Sequence, residues 1–153
     1  MNPLRTLILL LTLLLAACTA KPELEQIPGS ARSGDLVVYV GIVPAAMARE
    51  RMAADATPQH PAPAAATDAH HLVVALFDAA SGARIEQAGV IAIHLSPRGT
   101  PVRRTMVPMR TGGVTSFGAE FPISKGSGHL FEIEVTRPGR PSARSAFRYD
   151  NEH

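Results

Sequence analysis

The segment His129 to Thr136 constrains the fold more than any other stretch of the chain. In it Phe131, Ile133 and Val135 alternate strictly with Leu130, Glu132 and Glu134. Successive side chains of a strand point to opposite faces, so a period of two writes one core face and one wetter face. Such a strand must bury its apolar side against a second layer, and neighbouring segments can supply one. Asp35–Val43 is β-branched and apolar on both faces and ends at Pro44. It predicts a central, doubly covered strand. His70–Phe77 is a second apolar run. Asp78–Ala83, centred on Ser81 and Gly82, predicts a hairpin turn. Arg84–Leu95 returns from it, with Ile91, Ile93 and Leu95 set against Val90, Ala92 and His94. Val102–Met109 carries Pro108 near its end, which predicts an edge strand because proline cannot donate to a ladder. Val114–Ile123 and Ser142–Tyr149 complete the set, the latter with Phe147 and Tyr149 opposite Arg144 and Arg148.

About seven strands separated by Gly- and Pro-rich turns predict an all-β chain. Its form is an immunoglobulin-like antiparallel β-sandwich, with a small barrel as the alternative. Between the first two strands, Ala45–Ala54 holds helix-forming residues and predicts a short helix. Ala54–Asp68 contains Pro58, Pro61 and Pro63 and is otherwise mostly Ala. It offers little apolar burial to offset an ordering cost of about 1–2 kcal/mol per residue, and so predicts a mobile loop.

The N-terminus gives an address. Arg5 precedes an apolar run from Leu7 to Ala17 that only Thr12 interrupts. The run falls short of the roughly 20 residues of a bilayer span and has the parts of a secretory signal. Leu15-Ala16-Ala17-Cys18 resembles the lipobox of bacterial lipoproteins. The resemblance implies cleavage before Cys18, a diacylglyceryl thioether on its sulfur and an acylated amine. Several acyl chains, at about 0.8 kcal/mol per buried CH₂, make a stable anchor. Residues 1–17 are then signal peptide, 18–34 the lipidated Cys18 with a flexible tether, and 35–153 the domain. Thr19 stands where Asp would resemble the enterobacterial inner-membrane retention signal. The expected location is the outer membrane, facing the periplasm.

Several function classes are disfavoured. Cys18 is the single cysteine, so once acylated it leaves neither a disulfide nor a reactive thiol. Ser116 and Ser145 lack a Gly-x-Ser-x-Gly context, and no phosphate-binding glycine loop or zinc-protease helix motif is present. Glu132 and Glu134 share a strand face, where solvation accounts for them. An enzyme is not predicted. Aromatic residues make up 5% of the chain and Trp is absent, which removes the stacking platforms that single-stranded nucleic acid needs. Arg103, Arg104 and Arg110 read as a solvated strand face rather than a polyanion site.

What remains is a set of soft or borderline metal ligands: Met47, Met52, His60, His70, His71, His94, Met106, Met109 and His129. Adjacent His70 and His71 point to opposite strand faces, so at most one of them joins a given site. Core methionines and structural histidines are the alternative account of the whole set.

Pro108-Met109 through Phe117-Gly118 resembles the periplasmic copper-binding proteins of bacterial iron-uptake systems, whose domain is an immunoglobulin-like sandwich. In their pattern, Pro-Met is followed nine residues later by the last Gly of Asp-Gly-Pro-His-Tyr-Gly. Met109 and Gly118 keep that spacing, and Phe117 replaces the Tyr. Gly128–Val135 and Arg137-Pro138-Gly139 look like the family's final hairpin. Ser116 stands at the family's His and Gly113 at its Asp, so Met109 alone carries over as a ligand. The resemblance implies copper at Met109. His70 and His71 open one expected strand and His129 another, and sandwich loops bring such strand ends together, so one or more of these histidines is expected to complete the site with Met109. A mixed imidazole–thioether shell favours that metal, with Cu(I) gaining most from the sulfur. The expected function is a lipid-anchored, non-enzymatic binding domain of the bacterial envelope that takes copper or another transition metal. The alternative is an interaction module without metal that joins an envelope protein through an edge strand.

Overall fold

The computed structural model describes residues 29–55 and 69–152. Within them lie β1 (Ser30–Ser33), β2 (Leu36–Pro44), α1 (Ala45–Asp55), β3 (Ala69–Asp78), β4 (Gly89–Leu95), β5 (Val102–Thr105), β6 (Val107–Thr111), β7 (Val114–Pro122), β8 (Gly126–Thr136) and β9 (Ala143–Asn151). They form a five-stranded sheet, β1-β2-β3-β7-β6, and a four-stranded sheet, β5-β4-β8-β9. Every pairing is antiparallel. The fold is therefore the immunoglobulin-like sandwich that the strand pattern predicts.

The strands among the described residues number nine rather than about seven, for two reasons. Ser30–Ser33, within the expected tether, pairs with β2. Only Ala31 of these four is buried, so no hydrophobic period announces the strand. The domain thus begins before Asp35. The Val102–Met109 segment divides at Met106, with β5 in one sheet and β6 in the other. Met106 is buried at the crossing, and its N–H donates to the Val90 carbonyl at 2.9 Å.

Asp78–Ala83 reverses the chain as expected of a hairpin turn, with Asp78 N–H donating to the Ala83 carbonyl and Ile85 N–H to that of Leu76, both at 2.8 Å, but the pairing is short. The turn hands the chain from one sheet to the other, and a single bridge, Phe77 to Arg84, is all that pairs behind it. Asp78 Oδ1 shapes the turn by accepting from the N–H groups of Ala80 and Ser81 and from the Ser81 hydroxyl, at 3.1, 2.8 and 2.8 Å.

The core lies between the sheets. Leu36, Val38, Leu72, Val74, Leu76, Phe117 and Phe121 face Ala92, Phe131, Ile133 and Val135 across it. The β8 alternation reads as expected: Phe131, Ile133 and Val135 are buried, while Leu130, Glu132 and Glu134 are half-buried. For β2 the doubly covered expectation fails. Leu36 and Val38 are buried, but Tyr39 and Val43 on the other face are exposed. The outer cover is α1, and it reaches only the end of that face, where it packs on β2 and β3. Pro44 ends β2 and α1 follows at once, as its helix-forming composition predicts. The predicted mobile loop falls outside the described residues from position 56 on; Ala54 and Asp55 belong to α1.

Candidate metal site

The site is built where α1 crosses the outer face of the five-stranded sheet. His70 and His71 take opposite faces of β3, as their adjacency requires. His70 shares the face of Leu72 and lies with its ring centroid 6.3 Å from that of Tyr149. His71 turns outward beneath α1, and yet it is only 5% exposed. Both of its ring nitrogens are buried, and neither has a hydrogen-bond partner among the described residues. Buried polar groups almost always find partners, and an unsatisfied one costs about 1–3 kcal/mol. This imidazole is therefore the most anomalous polar group in the described structure. Burial pushes its pKa below the ordinary histidine value; the Glu120 carboxylate opposes that shift and the Arg49 guanidinium adds to it. A neutral ring keeps one lone pair free for a metal.

The cross-strand register brings a thioether to the same place. β7 lies between β3 and β6, with Val73 and Val107 both opposite Gly118, and Met109 opposite Ser116. Gly118 leaves a hollow at this spot. A Cβ built there would lie 2.5 Å from His71 Nε2 and 2.7 Å from Met109 Sδ. The imidazole nitrogen and the sulfur thus converge on one point above the Gly118 backbone. Around it opens a cavity of about 330 Å³, lined by Val43, Met47, Arg51, His71, Met109 and Ser116 among others.

Glu120, the cross-strand neighbour of His71, is committed elsewhere. Arg49 Nη2 donates to its two oxygens at 2.8 and 2.7 Å, and Nε donates at 3.1 Å. This bidentate pair pins α1 over the site. Among the described residues, no group of three or more His, Cys, Asp or Glu side chains is placed to hold a metal. The donor that the register adds to His71 is the Met109 sulfur.

Solved copper-bound proteins share this fold. The sandwich is similar to a copper-bound variant of FetP from uropathogenic Escherichia coli strain F11, with a TM-score of 0.59 and 12% identity over 81% of this chain and 94% of that one. It is similar to the copper-reconstituted P19 protein of Campylobacter jejuni, with a TM-score of 0.55 and 11% identity over 80% and 92% of the two chains. A DUF4426 family protein from Pseudomonas aeruginosa gives 0.59 and 17% identity over 81% and 98%. At these identities the likeness is one of fold. No protein-family model matches the sequence, and no curated protein does.

The structure does not bring His129 to Met109. His129 lies in β8 of the other sheet and is fully buried, with both ring nitrogens in use. Its Nε2 lies 3.0 Å from the Ser124 carbonyl, which can only accept, so Nε2 carries the proton. Nδ1 then accepts from His94 Nε2 at 3.0 Å. His94 in turn stacks on Phe131, with centroids 4.6 Å apart. The expectation that strand ends bring His129 to Met109 fails because these rings close a structural pair inside the sandwich. Met106 is a core side chain, and Cys18 and His60 lie outside the described residues.

The burial of His94 makes stability depend on pH. Burial, with the neighbouring His129 second, holds the His94 pKa below its ordinary value. The unfolded chain therefore takes up a proton near pH 6.5 that the folded chain refuses, so stability is full above about pH 6.5 and falls as the pH drops below it. Thermal midpoints taken between pH 8 and 5 should decline on the acid side, and less steeply in His94→Phe. An identical acid limb in the two proteins would remove His94 from the account.

Proposed function

We propose that the protein is a lipid-anchored, non-enzymatic metal-binding domain of the bacterial envelope, with copper as its metal and His71 and Met109 as ligands. One observation carries the reading. A buried imidazole with two unsatisfied nitrogens meets a thioether over a glycine that leaves them room. Burial without a partner is costly in a structural histidine, and a metal would offset that cost. The copper-bound neighbours support the choice of metal, and the imidazole–thioether pair suits copper on chemical grounds. Copper bound here would act as a Lewis acid shielded by sulfur and nitrogen. The chain's own part is to hold His71 neutral and to keep Met109 beside it. The anchor reading is supported by Leu15-Ala16-Ala17-Cys18.

Copper titration is the test. His71→Ala and Met109→Leu should each weaken binding by about tenfold or more, since each removes one donor of a small set. If the parent protein binds no copper above a nonspecific control, the metal reading fails. The interaction-module reading then stands, with Val107, 59% exposed on edge strand β6, as its best foothold. The anchor is tested separately: Cys18→Ser should lose incorporation of labelled palmitate, and continued labelling would remove it.

A further inference from the structure

We propose that Met47 of α1 supplies a third donor to the His71–Met109 site, making it a pocket for a soft monovalent cation that prefers Cu(I) to Cu(II) and Zn(II). The inference rests on the metal reading above and goes beyond it in ligand set and in charge selectivity.

The donors come first. Met47 lines the same cavity as His71 and Met109 and is 61% exposed. Its thioether is not buried in a core, so packing does not account for where it sits. A single exposed apolar side chain is ordinary on any surface. This one stands over a hollow where a sulfur and an orphaned imidazole already meet. Methionine is unbranched, with several rotatable bonds and a polarisable sulfur, so it can follow a metal as the cavity fills. The donor set is then one nitrogen and two sulfurs, with the Ser116 hydroxyl beside them. Among the described residues no free carboxylate lines the cavity, and Arg49 holds both oxygens of Glu120. Thioether donors favour Cu(I), whereas carboxylate and additional imidazoles are what hold divalent ions.

Charge acts in the same direction. Arg51 lines the cavity and makes no ion pair among the described residues. The nearby Arg49 is neutralised by Glu120, so among the described residues lining the cavity Arg51 places one unbalanced positive charge beside the uncharged donors. Coulomb repulsion scales with the product of the charges, so a divalent ion meets twice the penalty of a monovalent one at the same distance. A neutral, sulfur-rich site beside a guanidinium disfavours Cu(II) and Zn(II) on both counts.

The test uses the full chain in detergent, without oxygen. Cu(I) is titrated against a chromophoric competitor, Cu(II) and Zn(II) are titrated in parallel, and Ag(I) serves as a redox-silent probe of the methionine methyl resonances. Cu(I) should bind at least about a hundredfold more tightly than either divalent ion, and Met47→Leu should cost about tenfold in Cu(I) affinity with no change in thermal midpoint of the metal-free protein. Ag(I) should shift the methyl signals of Met47 and Met109 and leave buried Met106 in place. An unmoved Met47 signal, with Met47→Leu binding like the parent, would overturn the third donor. Divalent ions binding as tightly as Cu(I) would overturn the selectivity. In either case, binding that still depends on His71 leaves the two-ligand reading intact. Failure of every metal to bind would instead remove that reading itself.

Discussion

Replacing Phe131 by alanine should destabilise the folded protein by about 3–5 kcal/mol, the cost of truncating a buried aromatic side chain. Phe131 has no exposed surface and sits at the centre of the contact between sheets. Its ring meets Phe121 edge-on with centroids 5.5 Å apart, and His94 stacks on it at 4.6 Å. Strands on both sides fix those neighbours, so the cavity cannot close cheaply. Glu132, the next residue, points to the opposite face of β8 and makes no ion pair among the described residues. Glu132→Ala should therefore stay within about 0.5 kcal/mol. Denaturant unfolding of the two variants measures both effects. Equal losses would mean that the face assignment of β8, and with it the core, is misread.

The contrast between those neighbours shows what the sequence makes legible. In β8 each face is written by residues two apart, so alternation alone assigns it. The same rule separates His70 from His71, because adjacency puts them on opposite faces. β1 escapes because four mostly polar residues with one buried alanine have no period to read. The crossing at Met106 escapes because no side chain of β5 or β6 is fully buried and only Met106, at the junction, is, so the change of sheet leaves no mark on the pattern.

The site was half legible for a related reason. Met109 and Gly118 could be paired by spacing, but what joins them to His71 is the register of β3 on β7 and of β7 on β6. Register relates residues dozens of positions apart, and no local pattern encodes it. The unsatisfied state of His71 likewise depends on α1 lying over it, and α1 is held there by Arg49 and Glu120, which are 71 residues apart. The pairing of His94 with His129 is hidden in the same way. Each of those rings looks like an isolated histidine until β4 and β8 are set side by side.

Gly118→Ala should reduce copper affinity by about 10–100-fold, the range seen when a supporting residue of a metal site is altered. The backbone gives no reason for glycine here, since Gly118 is not among the glycines with positive φ. Space gives the reason. The added methyl would sit 2.5 Å from His71 Nε2 and 2.7 Å from Met109 Sδ, on the point where the two donors meet. His71 is enclosed beneath α1, so most of the movement must come from Met109, on the half-buried face of edge strand β6. Overpacking of this kind costs about 1–3 kcal/mol of stability. A double-mutant cycle separates the two effects. Met109→Ala in the Gly118→Ala background opens room for the methyl and should recover stability, but it removes the sulfur and should not recover copper. If copper binding returns with stability, the loss in Gly118→Ala was a folding defect and Met109 is not a ligand. If Gly118→Ala binds copper like the parent, the metal does not sit over Gly118, and the convergence of His71 and Met109 there has another cause.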